Sequence, residues 1–180
     1  LTKGTKKSRK KTKKIINLFE YLDKYSRENE GGVFYIPSQP EGYPLKDYVK
    51  VSDDIHCEMD NGSFEEQKEL IKNFCEITGL TLNWQVTSGG KSIHTHWKLN
   101  EHLPIEKVTY LNRLLAIALD SDPAVCNPHQ PMRVPGFFRL EKQAYQELLG
   151  INKDCKYSYH QFIEGFKKYY AHIGIIFPQT

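Results

Sequence analysis

The sequence contains no apolar run near the about 18 residues that a membrane-spanning helix needs, and its mean hydropathy is −0.59. A transmembrane helix is therefore excluded. The N-terminus is basic but no apolar stretch follows it, so a secretory signal is not expected. Cysteine is scarce: Cys57, Cys75, Cys126 and Cys155 are scattered, with no CxxC pair. This argues against a disulfide-stapled or zinc-finger class, and a reducing, cytoplasmic setting is the expectation. No internal repeat is visible, and the GxxxxGK spacing of a P-loop is absent. Acidic residues are missing from the first 14 positions, which hold eight lysines and arginines.

That last absence changes the meaning of the charge. The net +3 of the 180 residues belongs to the arm, and residues 15–180 alone carry a net −5. A basic arm of this density is an electrostatic handle for nucleic acid; the plainer reading is a solvated, partly helical leader. The full chain is 39% hydrophobic and 26% charged, and residues 15–180 suit one compact domain with a real core. The start at Leu1 suggests a fragment of a longer protein with further domains.

Periodicity supplies the elements. Ile15, Leu18, Phe19 and Leu22 recur at helical spacing, and Gly31 and Gly32 stop that helix. Val33 to Ile36 is a short β-type run before the turn-rich Pro37 to Pro44. Ile55 to Asp60 reads as a strand, and Ser63 with Glu66 forms a capping box. The helix that follows carries Phe64, Leu70, Ile71, Phe74 and Ile77 and ends at Gly79. Leu82 to Thr87 is a strand leading into a tight turn. Ser92 to Leu99 alternates: Ile93, Thr95, Trp97 and Leu99 share one face, and Ser92, His94, His96 and Lys98 the other, as in a half-buried hairpin strand. Pro104 opens a helix through Ala118. Residues 120–131 read as loop, Met132 to Val134 as a short strand, and helices are expected near residues 140–149 and 158–171. This order argues a mixed α/β (α+β) domain.

Five groups of residues could carry chemistry. Glu58 and Asp60, two apart on a strand, point to one face. They repel each other unless a divalent cation bridges them, and oxygen ligands suit magnesium or manganese; the alternative is a solvated edge strand. Ser88, Gly89, Gly90, Lys91, Ser92, Ile93 and His94 combine a glycine turn, whose N–H groups can cradle phosphate, with a lysine, a hydroxyl and an imidazole. An ordinary glycine hairpin with a surface lysine competes with that reading. Arg133, set between apolar residues, is the kind of arginine that pairs with a carboxylate or phosphate. Asp120 and Asp122 follow the third helix, and either could cap a turn or add a carboxylate. His94 and His96 form an HxH pair, but no third zinc ligand stands at helpful spacing.

Taken in order, the acid-x-acid of 58–60, Ser-Gly-Gly-Lys-Ser-Ile-His of 88–94, the Asp-Pro of 122–123 and Met-Arg-Val-Pro-Gly-Phe of 132–137 resemble the archaeo-eukaryotic-type primases. The likeness is to the primase-polymerase branch in plasmid, phage and CRISPR-associated replication proteins, and it spans roughly residues 30 to 140. It implies a small αβ unit packed beside an RRM-like sheet, with the acids on the sheet's open face. It implies that Glu58, Asp60 and Asp122 hold two Mg²⁺ or Mn²⁺ ions. Lys91, Ser92, His94 and Arg133 would then hold the triphosphate of an incoming NTP or dNTP, on a single-stranded DNA template with a primer. Glu58 departs from the aspartate often found first in the acidic pair, and Asp120 rivals Asp122 for the third position.

Two other functions fit parts of the pattern. A rolling-circle nicking endonuclease would use His94 and His96 with Tyr159 or Tyr169 as nucleophile, although Thr95 is not the hydrophobic residue that motif wants. A replication-initiator module would bind DNA through the arm without catalysis.

Overall fold

The computed structural model describes residues 17–30 and 32–178; the basic arm and Ile15 lie outside them. Its elements are α1 (Leu18–Glu28), β1 (Phe34–Tyr35), β2 (Val51–Met59), α2 (Phe64–Thr78), β3 (Trp84–Thr87), β4 (Ile93–Pro104), α3 (Ile105–Leu119), β5 (Met132–Arg133), β6 (Phe138–Arg139), β7 (Ala144–Tyr145), β8 (Leu148–Ile151) and α4 (Tyr159–His172). The main sheet has the order β2-β4-β3-β8 with every neighbouring pair antiparallel. Two short ribbons, β1 with β5 and β6 with β7, lie outside it. The mixed helix–strand class read from the sequence is the one observed. No helix among the described residues is long and apolar enough to cross a membrane.

The alternation of β4 divides the sheet into two faces. Ile93, Trp97 and Leu99, with Ile55, Cys57 and Met59 from β2, form the core face. Onto it pack Ile71 and Phe74 of α2, Val108, Leu111 and Leu115 of α3, and Phe162, Phe166, Tyr169 and Tyr170 of α4. Two of the large side chains satisfy their polar atoms inside this core: Trp97 Nε1 donates to the Leu80 carbonyl at 3.1 Å and Tyr170 Oη to that of Leu114 at 2.9 Å. The start of α2 is the expected capping box. The Ser63 hydroxyl accepts from Glu66 N–H, the Glu66 carboxylate accepts from Ser63 N–H, and Gly79 closes the helix in the left-handed region at φ 73°. α3 lies along the outer edge of β2, where Asn112 Oδ1 accepts the His56 N–H at 3.1 Å.

Three local expectations change. Residues 140–149 are not a helix: Leu140–Lys142 is a short 3₁₀ turn, and β7 and β8 follow. The open edge of β3 explains this, because Trp84, Gln85 and Val86 take Ile151, Gly150 and Leu148 as partners, and sheet pairing overrides a modest helical preference. The polar face of β4 is not solvated either; His94 and His96 are as deeply buried as the core. Asp60 lies one residue beyond β2, which ends at Met59. It therefore leaves the ladder instead of sharing a strand face with Glu58. α1 forms as expected, with Leu18 and Phe19 turned to solvent.

Candidate active site

The second face of the sheet carries the polar residues. Antiparallel register sets Glu58 opposite His94, His56 opposite His96 and Asp54 opposite Lys98, with Trp84 and Val86 of β3 beyond them. Two-residue periodicity then puts all of these on one side. Tyr35 of β1 stacks near His96, the segment 120–127 meets this face through Val125 and Asp122, and the β6/β7 hairpin meets the glycine turn at its end.

Glu58 sits at the open end of this face. Its Oε1 lies 3.3 Å from His94 Nε2. That contact holds the carboxyl below the usual carboxylate range against the opposing effect of partial burial, with help from the Ser92 hydroxyl and Arg133. Just past the strand, the Asp60 carboxylate is half exposed, 3.7 Å from Lys91 Nζ. Asp122 is brought to the same place by its backbone: its N–H donates to the Glu58 carbonyl at 3.0 Å. The Asp122 side chain caps the 3₁₀ turn Pro123–Cys126, accepting the Ala124 N–H at 2.8 Å. Asp120 is placed differently. It is the left-handed cap of α3 at φ 46° and lines a groove with Arg113 and Ile117. Of the two aspartates, the one docked on Glu58 is Asp122. The ligand atoms of Glu58, Asp60 and Asp122 do not all come within 4.8 Å of one another.

The glycine turn is built as a closed loop. Ser88 N–H donates to the Ser92 carbonyl at 2.9 Å and Ser92 N–H to the Ser88 hydroxyl at 3.3 Å. Gly89 has φ 68°, and a Cβ there would sit 3.3 Å from the Tyr145 carbonyl, so both backbone angle and space call for glycine. Two side chains hold this loop. Arg139 Nη1 donates to the Ser88 carbonyl at 2.9 Å. Gln67, fully buried on α2, donates to the Lys91 carbonyl at 2.9 Å and accepts the Ile93 N–H at 3.1 Å. Gln67 also reaches the Asn61 carbonyl at 3.2 Å, so one amide fixes the glycine turn relative to the segment after Glu58. Lys91 is the exposed member of the set; Ser92 and His94 are buried beside Glu58.

Arg133, on β5, spreads its guanidinium 4.6 Å from the centre of the Phe34 ring. A Cβ on Gly32 would meet its Nη1 at 2.8 Å, so this glycine makes room for the arginine. Burial and the nearby Arg139 lower its pKa, with Glu141 and Glu58 acting in the opposite sense. Glu58, Ser92, His94 and Arg133 thus belong to one electrostatic neighbourhood, with Lys91 and Asp60 at its rim.

Behind it lies a group the sequence reading missed. Asp54 Oδ1 is 2.8 Å from His56 Nδ1 and 2.9 Å from His96 Nδ1. Burial pushes the Asp54 carboxyl up, but attraction to His96 and hydrogen bonds from both imidazoles outweigh it and leave the group well below the usual range. Lys98 Nζ approaches Asp54 Oδ2 at 3.5 Å while bonding Asp53 at 2.7 Å. The signal was available: extending the strand one residue before Ile55 aligns Asp54, His56 and Glu58 on one face. The third partner of the HxH pair comes from the neighbouring strand through register, not from nearby sequence.

No family model matches the chain, and no curated protein matches it. Solved structures do. The cyanophage S-2L primase-polymerase AEP domain aligns with 74% of this chain and 69% of its own at 21% identity and a TM-score of 0.63. The catalytic domain of the primase RepB′, in complex with initiator DNA, aligns with 68% of this chain and 61% of its own at 19% identity and a TM-score of 0.47. The fold is that of an archaeo-eukaryotic-type primase (AEP) domain.

Proposed function

We propose that this domain is a DNA-templated nucleotidyltransferase of the primase-polymerase kind, joining NTPs or dNTPs on a single-stranded template. The observation that carries this reading is the docking of Asp122 on Glu58, at the edge of a face that also offers Ser92, His94 and Arg133 beside a glycine turn. The fold shared with a phage primase-polymerase supports it.

In nucleotidyl transfer a 3′-oxygen attacks the α-phosphorus of a nucleoside triphosphate and pyrophosphate leaves. Glu58, Asp60 and Asp122 are all oxygen donors of the type that holds Mg²⁺ or Mn²⁺, and Glu58 is kept ionised by His94. Ions held there would activate the attacking oxygen and neutralise charge on the leaving pyrophosphate. The chain's own residues position the triphosphate. The N–H groups of 89–91 approach it as a nest, Lys91 adds an exposed positive charge, and Ser92 and His94 contribute donors from the sheet. Arg133, preset against Phe34, supplies a planar guanidinium to the same anion. None of these side chains acts as a nucleophile.

The nicking reading has little support from the tyrosines. Tyr169 is part of the hydrophobic core, on the opposite face of the sheet from His94, and Tyr159 packs against that core. The experiment is incubation with single-stranded template, labelled nucleotides and Mg²⁺ or Mn²⁺, with and without primer. Template-dependent, metal-dependent products are expected. A covalent tyrosyl–DNA adduct without incorporation favours the nicking enzyme, and DNA binding alone favours the initiator module.

A further inference from the structure

We propose that Asp54, His56 and His96 form a separate binding site for a divalent transition-metal ion, with zinc the expected occupant. Asp54, His56 and His96 each offer one ligand atom within 4.8 Å of the other two, and among the described residues no other trio of His, Cys, Asp or Glu does so. All three residues are at most 2% exposed. Two imidazole nitrogens and one carboxylate oxygen are a zinc-type donor set, softer than the all-oxygen set of Glu58, Asp60 and Asp122.

The placement of protons favours an ion over a simple hydrogen-bonded triad. His56 Nε2 is 3.1 Å from the Val125 carbonyl; a carbonyl only accepts, so this nitrogen carries hydrogen. His56 Nδ1 also faces an acceptor, the Asp54 carboxylate. With a hydrogen on Nε2, the Nδ1 lone pair of the ring faces the Asp54 carboxylate, a contact that a cation between the two relieves. With zinc, Nδ1 offers its lone pair and the Nε2–H to Val125 becomes the outer hydrogen bond that orients metal-bound histidines. His96 is held for the same role. Its ring stacks on Trp84 at 4.7 Å between centroids and 17° between planes, and its buried Nε2 has no hydrogen-bond partner, so Nδ1 is its one engaged nitrogen. Lys98 does not replace the ion, because its shorter contact is to Asp53. Zinc bonds of about 2.0–2.1 Å set tetrahedral ligands roughly 3.4 Å apart, so Asp54 Oδ1, at 2.8 and 2.9 Å from the two imidazoles, would part from each by about half an ångström. The ion would tie β2 to β4 and, through Val125, to the turn that Asp122 caps.

The probe is zinc alone, on the full chain stripped with a chelator. One zinc per chain should rebind, survive gel filtration and raise the melting temperature, and cobalt in its place should give ligand-field bands. His56→Ala and His96→Ala should each weaken zinc about a hundredfold or more, while His160→Ala, exposed on α4, and Glu58→Gln keep the full stoichiometry. If the histidine variants do not fold, the cobalt spectrum of the unsubstituted chain decides: bands of a site with two imidazoles support the proposal. No retained zinc and no cobalt bands overturn it and leave a hydrogen-bonded triad. Loss of the zinc in Glu58→Gln overturns it as well, by locating the ion at the candidate active site.

Discussion

His94 joins the two halves of the proposed chemistry, because it touches Glu58 and belongs to the glycine-turn motif. His94→Ala should raise the apparent KM for nucleotide tenfold to a hundredfold, as losing a charge-assisted contact of about 1.5–3 kcal/mol would. Template affinity should stay unchanged. Steady-state kinetics over nucleotide concentration check this, and an unaltered KM contradicts it. Asp54 gives the residue scale its pH dependence. Its native pKa is depressed, so in the carboxylate range the unfolded chain binds more protons than the native one. The stability it contributes is complete above the ordinary value of about 4 and is lost as pH falls through that value toward the native one. His96, whose pKa burial lowers, acts in the same direction from about pH 6.5 downward. In the metal-stripped protein, the urea midpoint should fall between pH 6.5 and pH 3, and the part of the fall below about pH 4 should be smaller in Asp54→Asn. A midpoint independent of pH over that range contradicts this.

At the scale of elements, the central helices and strands were legible because their signals are local. The capping box at Ser63 and Glu66, the glycine stop at Gly79 and the two-residue alternation of Ile93 to Leu99 all reappear where the sequence puts them. What was not legible depends on partners distant in sequence. β8 is a strand because β3 offers an edge, and His96, on the buried polar face of β4, stacks near Tyr35, far away in sequence. Asp54 and His56 joined His96 only through strand register. Gln67 is another such case, a polar residue inside an amphipathic helix whose partners are backbone atoms of 61, 91 and 93. Gln67→Ala should destabilise the fold by about 1–3 kcal/mol, the cost of leaving buried backbone groups unpaired. It should also raise the nucleotide KM by loosening the glycine turn. Chemical denaturation and kinetics test both parts, and full stability with normal KM refutes the staple.

At the scale of the whole molecule, charge and chemistry are divided between regions. The acidic site belongs to a body of net −5, while eight basic residues precede Ile15. On that division, attraction to a polyanionic template is expected from the arm. If five of its residues meet phosphates on a single strand, the log–log salt slope should be about −3.5. Deleting residues 1–14 should flatten that slope and weaken DNA binding several-fold, with metal and nucleotide binding retained. An unchanged slope assigns template binding to Arg133, Arg139 and their neighbours. The central claim is that the carboxylates meeting at the end of β2 carry out nucleotidyl transfer. Its most direct test is template-dependent incorporation by Glu58→Gln, Asp122→Ala and Asp120→Ala beside the unsubstituted chain. Glu58→Gln and Asp122→Ala should lose about a hundredfold or more, as groups that manage transition-state charge do, while Asp120→Ala stays active. Full incorporation by Asp122→Ala, or none by the unsubstituted chain, would contradict the account.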